Sequence, residues 1–203
     1  MTFDKWRVIN WASLGYKFVS QNFHNGDMDH LWMFIHNSLH ISSYTKGEQN
    51  VTVCFSMLGV NVTVAFIYAS NSYIRRRDLW GEMAEFFYNM RNEWIIYGDF
   101  NTMFKPTEKI GANLCRIASH EFSVCINHCN LVEVPISGAE FTWSRCTING
   151  RHARKLDRFF VQVDDRSVAT VIYSLRLPKF HSDHNPVWPG LNMNLPRSAP
   201  LPF

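Results

Sequence analysis

The chain lacks any apolar run approaching the roughly 20 residues that a membrane-spanning helix requires, and no apolar core of signal-peptide type stands near Met1. Both absences lead to the expectation of an intracellular protein, nuclear or cytoplasmic, that is not secreted. Charge is scarce as well. Asp, Glu, Lys and Arg make up 18% of the 203 residues, and 20 basic against 17 acidic side chains leave a net charge of +3. So small an excess attracts a polyanion only weakly, and a nucleic-acid reading has to rest on a site. The five cysteines (Cys54, Cys115, Cys125, Cys129 and Cys146) form an odd, scattered set and not a disulfide framework, which agrees with a reducing compartment. The Asn-x-Thr triplets at Asn50 and Asn61 are therefore read as chance. Internal repeats and low-complexity tracts are also lacking.

What the chain has in quantity is apolar and aromatic surface. Hydrophobic residues reach 46%, with sixteen Phe and seven Trp, too much for a disordered chain to leave in water. The length suits one domain with a sizeable core. That domain is expected over 1–188, followed by an irregular tail over 189–203 that carries Pro189, Pro196, Pro200 and Pro202.

Periodicity divides the domain. Short strands are expected near Tyr16 to Ser20 and Leu31 to His36. Val51, Val53 and Phe55 alternate, Leu58-Gly59 turns the chain, and Val62, Val64, Phe66 and Tyr68 alternate again. Trp80, Met83, Phe87 and Met90 recur at helical spacing within Ser72 to Met90, as do Phe122, Cys125, Ile126 and Cys129 in a helix from about Ser119 to His128. Between them Trp94 to Tyr97 has the apolarity of a buried strand. Further strands are expected over Glu140 to Ser144, Lys155 to Val161, Ala169 to Leu175 and after Pro186. This order predicts a mixed α/β fold with a two-sheet sandwich core and helices outside.

Three phrases carry chemistry: GDFN at 98–101, KLDRFF at 155–160 and SDHNP at 182–186. In each, polar groups stand at or beside the end of an apolar strand, where a folded sheet can bring them together. The set suits attack of water on a phosphodiester. A carboxylate such as Asp99 orients or deprotonates the water, and the Asn101 amide offers donors to a phosphate oxygen. Asp157 can hold His184 by its ring N–H and favour the imidazolium, which stabilises charge growing on the phosphoryl oxygens. Asp183 is left to face a cation. Mg2+, or Mn2+ in its place, needs only one or two carboxylates besides waters and substrate oxygens.

These phrases, with Ile67 to Asn71 upstream and Phe141-Thr142-Trp143 between, resemble the endonuclease/exonuclease/phosphatase superfamily. The likeness is nearest to the endonuclease domain of plant-type LINE-like (non-LTR) retrotransposons. Its further marks are Arg76-Arg77-Asp78-Leu79-Trp80, Glu108-Lys109-Ile110-Gly111 and Gly138-Ala139-Glu140, and it spans about Trp11 to Val187. The resemblance implies a deoxyribonuclease I-like four-layer fold and action on the phosphodiester backbone of DNA, with RNA as a second candidate. It implies Asp99, Asn101, Asp157, His184 and Tyr68 as catalytic residues, Asn71, Asn101 and His184 at the phosphate, and Asp183 with Asp99 at the metal. Phe141, Thr142 and Trp143 are expected in the core and the substrate wall.

Members of that family also open with a strand bearing an active-site Asn and a strand bearing a metal-binding Glu, in WNVRG-like and QETK-like phrases. Neither phrase occurs here. The expectation is a domain missing its first strands, with weak or absent activity and unpaired sheet edges. Two other functions stand beside the nuclease: a non-catalytic remnant that binds nucleic acid or protein, and a phosphatase for a small phosphorylated ligand.

Blander roles are set against the rest. His120, Cys125, His128 and Cys129 do not follow zinc-ligand spacing, and the cysteines read as core. Arg75 to Arg77 read as a solvated run at a helix start. His181 reads as a bystander facing away from the site.

Overall fold

The computed structural model describes residues 10–21, 31–57, 60–89, 93–111, 114–138, 140–148, 150–162, 169–178 and 182–193. Its strands, in chain order, are β1 (Tyr16–Gln21), β2 (Trp32–His36), β3 (His40–Lys46), β4 (Asn50–Met57), β5 (Val60–Tyr68), β6 (Glu93–Asp99), β7 (Lys109–Ile110), β8 (Leu131–Glu133), β9 (Ile136–Ser137), β10 (Trp143–Thr147), β11 (Gly150–Arg154), β12 (Asp157–Gln162), β13 (Ala169–Arg176) and β14 (Val187–Met193). The helices are α1 (Arg76–Asn89) and α2 (Arg116–His128).

A six-stranded sheet in the order β3-β4-β5-β6-β12-β8 forms the centre. Within it β5 and β6 run parallel, joined through α1, while β4 with β5 and β6 with β12 are antiparallel. Both faces are covered, and this explains the continuous apolarity of β6. Trp94 and Ile96 point to the helix side, where Leu79, Trp80 and Met83 of α1 and Phe122, Cys125 and Ile126 of α2 meet them. Ile95 points the other way, into a second cluster with Val51, Val53, Val62, Val64 and Phe159. The period-two alternation of β4 and β5 feeds the same cluster. Phe100, Phe104, Phe122 and Phe160 pack around one another on the helix side, Phe104 stacked on Phe122 with centroids 4.4 Å apart.

The layer opposite the helices is divided among small sheets. The β1–β2 hairpin sends Met33 into the second cluster. A sheet in the order β14-β13-β9 is tied to the central one by the Tyr97 hydroxyl, which donates to the Val187 carbonyl at 2.8 Å. The β10-β11-β7 sheet completes the set. The result is the mixed α/β, helix-flanked sandwich that the element order predicts.

Several expectations change in detail. α1 begins at Arg76, after turns over the preceding residues, and α2 begins at Arg116, ahead of the expected Ser119. Strand β14 runs through Pro189 to Met193, residues expected in an irregular tail. Pro189 and Gly190 pair with Ser174 and Tyr173, and proline is tolerated because β14 is an edge strand. Strands β3, β7, β8, β9 and β11 have no counterpart in the periodicity. The Leu58-Gly59 turn, Met90, His181 and the rest of the tail beyond Met193 lie outside the described residues. All five cysteines are free, and Cys125 and Cys129 are buried in the core as expected. Among the described residues no helix is long and apolar enough to cross a membrane.

Candidate active site

Strand register alone brings three of the expected side chains side by side. Tyr68 closes β5 directly beside Asp99 at the end of β6, and Asp157 opens β12 on the other side of Asp99. Ends of adjacent strands in an α/β sheet are a usual place for a ligand crevice. Gly98 makes the close approach of β5 and β6 feasible. Its φ is +145°, and a Cβ there would overlap the Ile67 carbonyl oxygen. The glycine of the GDFN phrase is thus required by the backbone, and the aspartate beside it is the chemical residue.

The SDHNP phrase reaches the same place by docking on β10. The Ser144 amide donates to the Asp183 carbonyl at 3.0 Å, and the Asn185 amide donates to the Thr142 carbonyl at 2.6 Å. The Asn185 side chain donates to the Leu177 carbonyl at 3.0 Å. Thr142 is fully buried, and its hydroxyl oxygen accepts from the amides of Leu156 and Asp157 at 3.0 and 2.9 Å. One threonine therefore fixes both the start of β12 and the segment that carries His184. Asp157 Oδ2 lies 2.9 Å from His184 Nδ1, and His184 Nε2 lies 3.8 Å from Asp99 Oδ2. The imidazole stands between two carboxylates.

Asn101 follows Asp99 in the left-handed region, φ +48°, which asparagine tolerates better than most residues. Its amide N–H donates to Asp99 Oδ1 at 2.8 Å, and its side-chain Nδ2 donates to the Ala69 carbonyl at 2.6 Å. Asp183 is engaged more than the sequence suggests, because its Oδ2 accepts from Trp143 Nε1 at 2.8 Å.

Tyr68, Asn71, Asp99, Asn101, Asp183 and His184 all line one cleft of about 650 Å3, and Asp157 stands behind His184. All seven residues singled out in the sequence are gathered here. Four contributors to the walls were not singled out: Leu31, Trp32 and Phe34 from β2 and its approach, and Arg154 of β11. The Arg154 guanidinium lies over the Trp143 ring, 5.2 Å from its centroid. A short expected strand and an arginine in a weakly patterned hairpin gave no signal of this convergence.

The electrostatics are those of a crowded acidic site. Burial pushes the Asp99 carboxyl up to about 7, the Asp157 charge adds to that, and His184, the Asn101 amide and Arg76 pull the other way. Burial works against the His184 imidazolium, yet the hydrogen bond and charge of Asp157, with the charges of Asp99 and Asp183, outweigh it and hold the imidazole above its usual range. Burial and the same three carboxylates raise the Tyr68 phenol, so it stays a proton donor. Asp99 and His184 thus form a neighbouring acid and base, each of which biases the other's protonation through its charge.

Arg76 departs from the solvated role expected for it. It is 4% exposed and donates through one guanidinium nitrogen to the carbonyls of Ser70 and Asn71 at 2.7 and 3.2 Å. For a cation, the cleft offers the carboxylates of Asp99 and Asp183, and among the described residues no three His, Cys, Asp or Glu side chains group as a metal cage. Two hard carboxylates fit a magnesium ion that keeps waters and takes substrate oxygens, and they do not fit a closed structural site.

No protein-family model matches the chain, and no curated protein matches it by sequence. Solved structures do match in fold. The endonuclease domain of TRAS1, a telomere-specific non-LTR retrotransposon, superposes with a TM-score of 0.67 at 16% identity over 89% of this chain and 81% of that one. An endonuclease/exonuclease/phosphatase family protein from Bacteroides thetaiotaomicron gives 0.67 at 14% identity, over 96% and 81%. D. rerio TDP2 complexed with a single-strand DNA product gives 0.63 at 11% identity, over 95% and 83%. With its central sheet, its paired helices and its cleft at the strand ends, this chain has the fold of the endonuclease/exonuclease/phosphatase proteins.

Proposed function

We propose that the chain is a nuclease-like phosphodiesterase domain, acting on the backbone of DNA and, as a second candidate, of RNA. The observation that carries the reading is the His184 imidazole, hydrogen-bonded to Asp157 and 3.8 Å from Asp99 in a cleft shared with Tyr68, Asn71 and Asn101. Asp99 orients the attacking water and accepts its proton, for which a raised carboxyl is better suited than an ordinary one. His184, kept cationic by Asp157, stabilises charge on the phosphoryl oxygens. The Asn101 amide nitrogen has a second N–H beyond the one given to Ala69, and it offers that donor to a phosphate oxygen. Asn71, which lines the same cleft, serves the same phosphate, and the Tyr68 phenol offers it a hydrogen bond. Asp99 and Asp183 would hold Mg2+ or Mn2+, which supplies Lewis-acid polarisation of a phosphate oxygen when bound.

Labelled oligonucleotides incubated with Mg2+ test the reading. Cleavage should be slow, because two carboxylates hold a cation weakly, and it should fall at least ~10²-fold in both His184→Ala and Asp99→Ala. Equal rates in wild type and His184→Ala would remove the basis of the proposal. The engagement of Asp183 by the Trp143 ring N–H favours one second reading, a binding module that keeps the cleft without turnover. Salt-dependent oligonucleotide binding, unchanged in Asp99→Ala and without cleavage, would select it.

A further inference from the structure

Three consecutive arginines, Arg75 just ahead of α1 and Arg76 and Arg77 in its first turn, do different things. Arg75 lies 3.9 Å from Glu48 and Arg77 2.6 Å from Glu121, both on the surface. Arg76 turns inward to the Ser70 and Asn71 carbonyls. Gln49, buried in the turn between β3 and β4, works on the same segment from the other side. Its Oε1 accepts from the Ser70 amide at 2.7 Å, its Nε2 donates to the Arg75 carbonyl at 2.8 Å, and its backbone carbonyl accepts from the Tyr68 amide at 2.9 Å. The side chains of Arg76 and Gln49, with the Gln49 backbone carbonyl, thus hold the connection from β5 to α1 through the backbone groups of Tyr68, Ser70, Asn71 and Arg75. That connection carries Tyr68 and Asn71 into the cleft.

Carbonyl bonding alone does not require a charge. A neutral amide would donate to the same oxygens without the several kcal/mol that burying a guanidinium costs before compensation. Burial does lower the Arg76 pKa, while Cys115, Asp99 and Glu121 act in the opposite direction. The acidic neighbours give the charge its use. The cleft holds Asp99 and Asp183, with Asp157 behind His184, and a docked phosphate adds to their repulsion unless a fixed cation stands nearby.

Resting on the phosphodiester reading above, we infer that Arg76 and Gln49 are positioning residues of the cleft. Together they preorganise the Tyr68–Asn71 wall, and Arg76 supplies the buried positive charge behind the place where a backbone phosphate docks.

Binding of a short single-stranded oligonucleotide, measured at low salt in EDTA, reads the inference without turnover. Amide exchange at Ser70 reads the clamp itself. Arg76→Gln, which keeps amide donors and drops the charge, should bind about tenfold more weakly. Arg76→Lys, which keeps the charge, should recover most of that loss. Gln49→Met should speed Ser70 exchange at least about tenfold while weakening binding less than Arg76→Gln. Wild-type affinity in Arg76→Gln, or Arg76→Lys no better than Arg76→Gln, overturns the charge role. Should Arg76→Gln fail to fold, Arg76→Lys and Gln49→Met decide the matter: binding in Arg76→Lys reduced tenfold or more, or Ser70 exchange unchanged in Gln49→Met, overturns it. If the wild type binds at low salt neither in EDTA nor with added Mg2+, the phosphodiester reading fails. Ser70 exchange then still decides the clamp, and unchanged exchange in Gln49→Met overturns it.

Discussion

Thr142 holds two backbone amides on a single hydroxyl oxygen in a position closed to water. Thr142→Val keeps the shape and removes the acceptor, leaving the Leu156 and Asp157 amides unpaired. The expected loss is about 2–4 kcal/mol of unfolding free energy in urea titrations, with Thr142→Ser retaining most of the stability. An unchanged midpoint in the valine variant would mean that the amides find another partner. Residues of this kind were hard to see in the sequence, whereas Asp99, Asp157 and His184 were plain. A carboxylate at the end of an apolar strand stands out locally. A buried threonine or arginine takes its role from partners far along the chain. Nothing in the run Arg75 to Arg77 marks which residue turns inward, because Gln49 and the Ser70 carbonyl decide it. Arg158 is similar. It sits in the KLDRFF phrase, yet it lies wholly buried against the Phe104 ring, 4.5 Å from its centroid.

At the level of elements, Arg158 joins β12 to β8 and to the turn before β7. It pairs with Glu108 and with Glu133, the latter at 2.9 Å, and Lys155 also reaches Glu133 at 2.8 Å. Removing one partner from such a pair leaves a buried charge uncompensated, so Glu108→Ala should cost about 3–5 kcal/mol. Burial alone would raise the Glu108 carboxyl, but the Arg158 hydrogen bond and charge outweigh it and hold the group below its usual range. A carboxyl lowered on folding contributes stability that is full above its unfolded value, about 4.3, and is lost as pH falls through the folded value. The stability gap between wild type and Glu108→Gln should therefore narrow when denaturation is repeated at successively lower pH below about 4. A constant gap would contradict the pairing. Gly98→Ala tests the β5–β6 approach, with an expected cost of about 2 kcal/mol or more from the forced φ and the overlap with Ile67. Elements whose apolar residues alternate were legible in the sequence. Strand β3 was not, since most of its residues face solvent, and β14, expected after Pro186, runs on past Pro189 and Gly190, residues that usually mark loops.

For the whole molecule, two apolar clusters flank one sheet, and the helix-side cluster is the more aromatic. Phe122 touches Trp80, Phe100, Phe104 and Phe160 there, whereas Val124 on the same helix is half exposed. Phe122→Ala should cost about 3–5 kcal/mol and flatten the near-UV circular dichroism, while Val124→Ala should stay within about 0.5 kcal/mol. Comparable effects from the two would argue against a core centred on this helix. The division of the opposite layer into small sheets was not legible, because the pattern of a strand records its buried face and not its neighbours.

The pairing of Tyr68, Asp99 and Asp157 across three adjoining strands has one more consequence. Side chains change face with every residue of a strand, so a slip of β6 by a single position would swing Asp99 toward the hydrocarbon interior and turn Phe100 outward. Parity forbids a half-formed version of this triplet. Wherever the middle three strands have zipped correctly the three oxygen-bearing groups are already aligned, and wherever they have not, the phenylalanine that belongs among the helices takes the aspartate's place in the cleft.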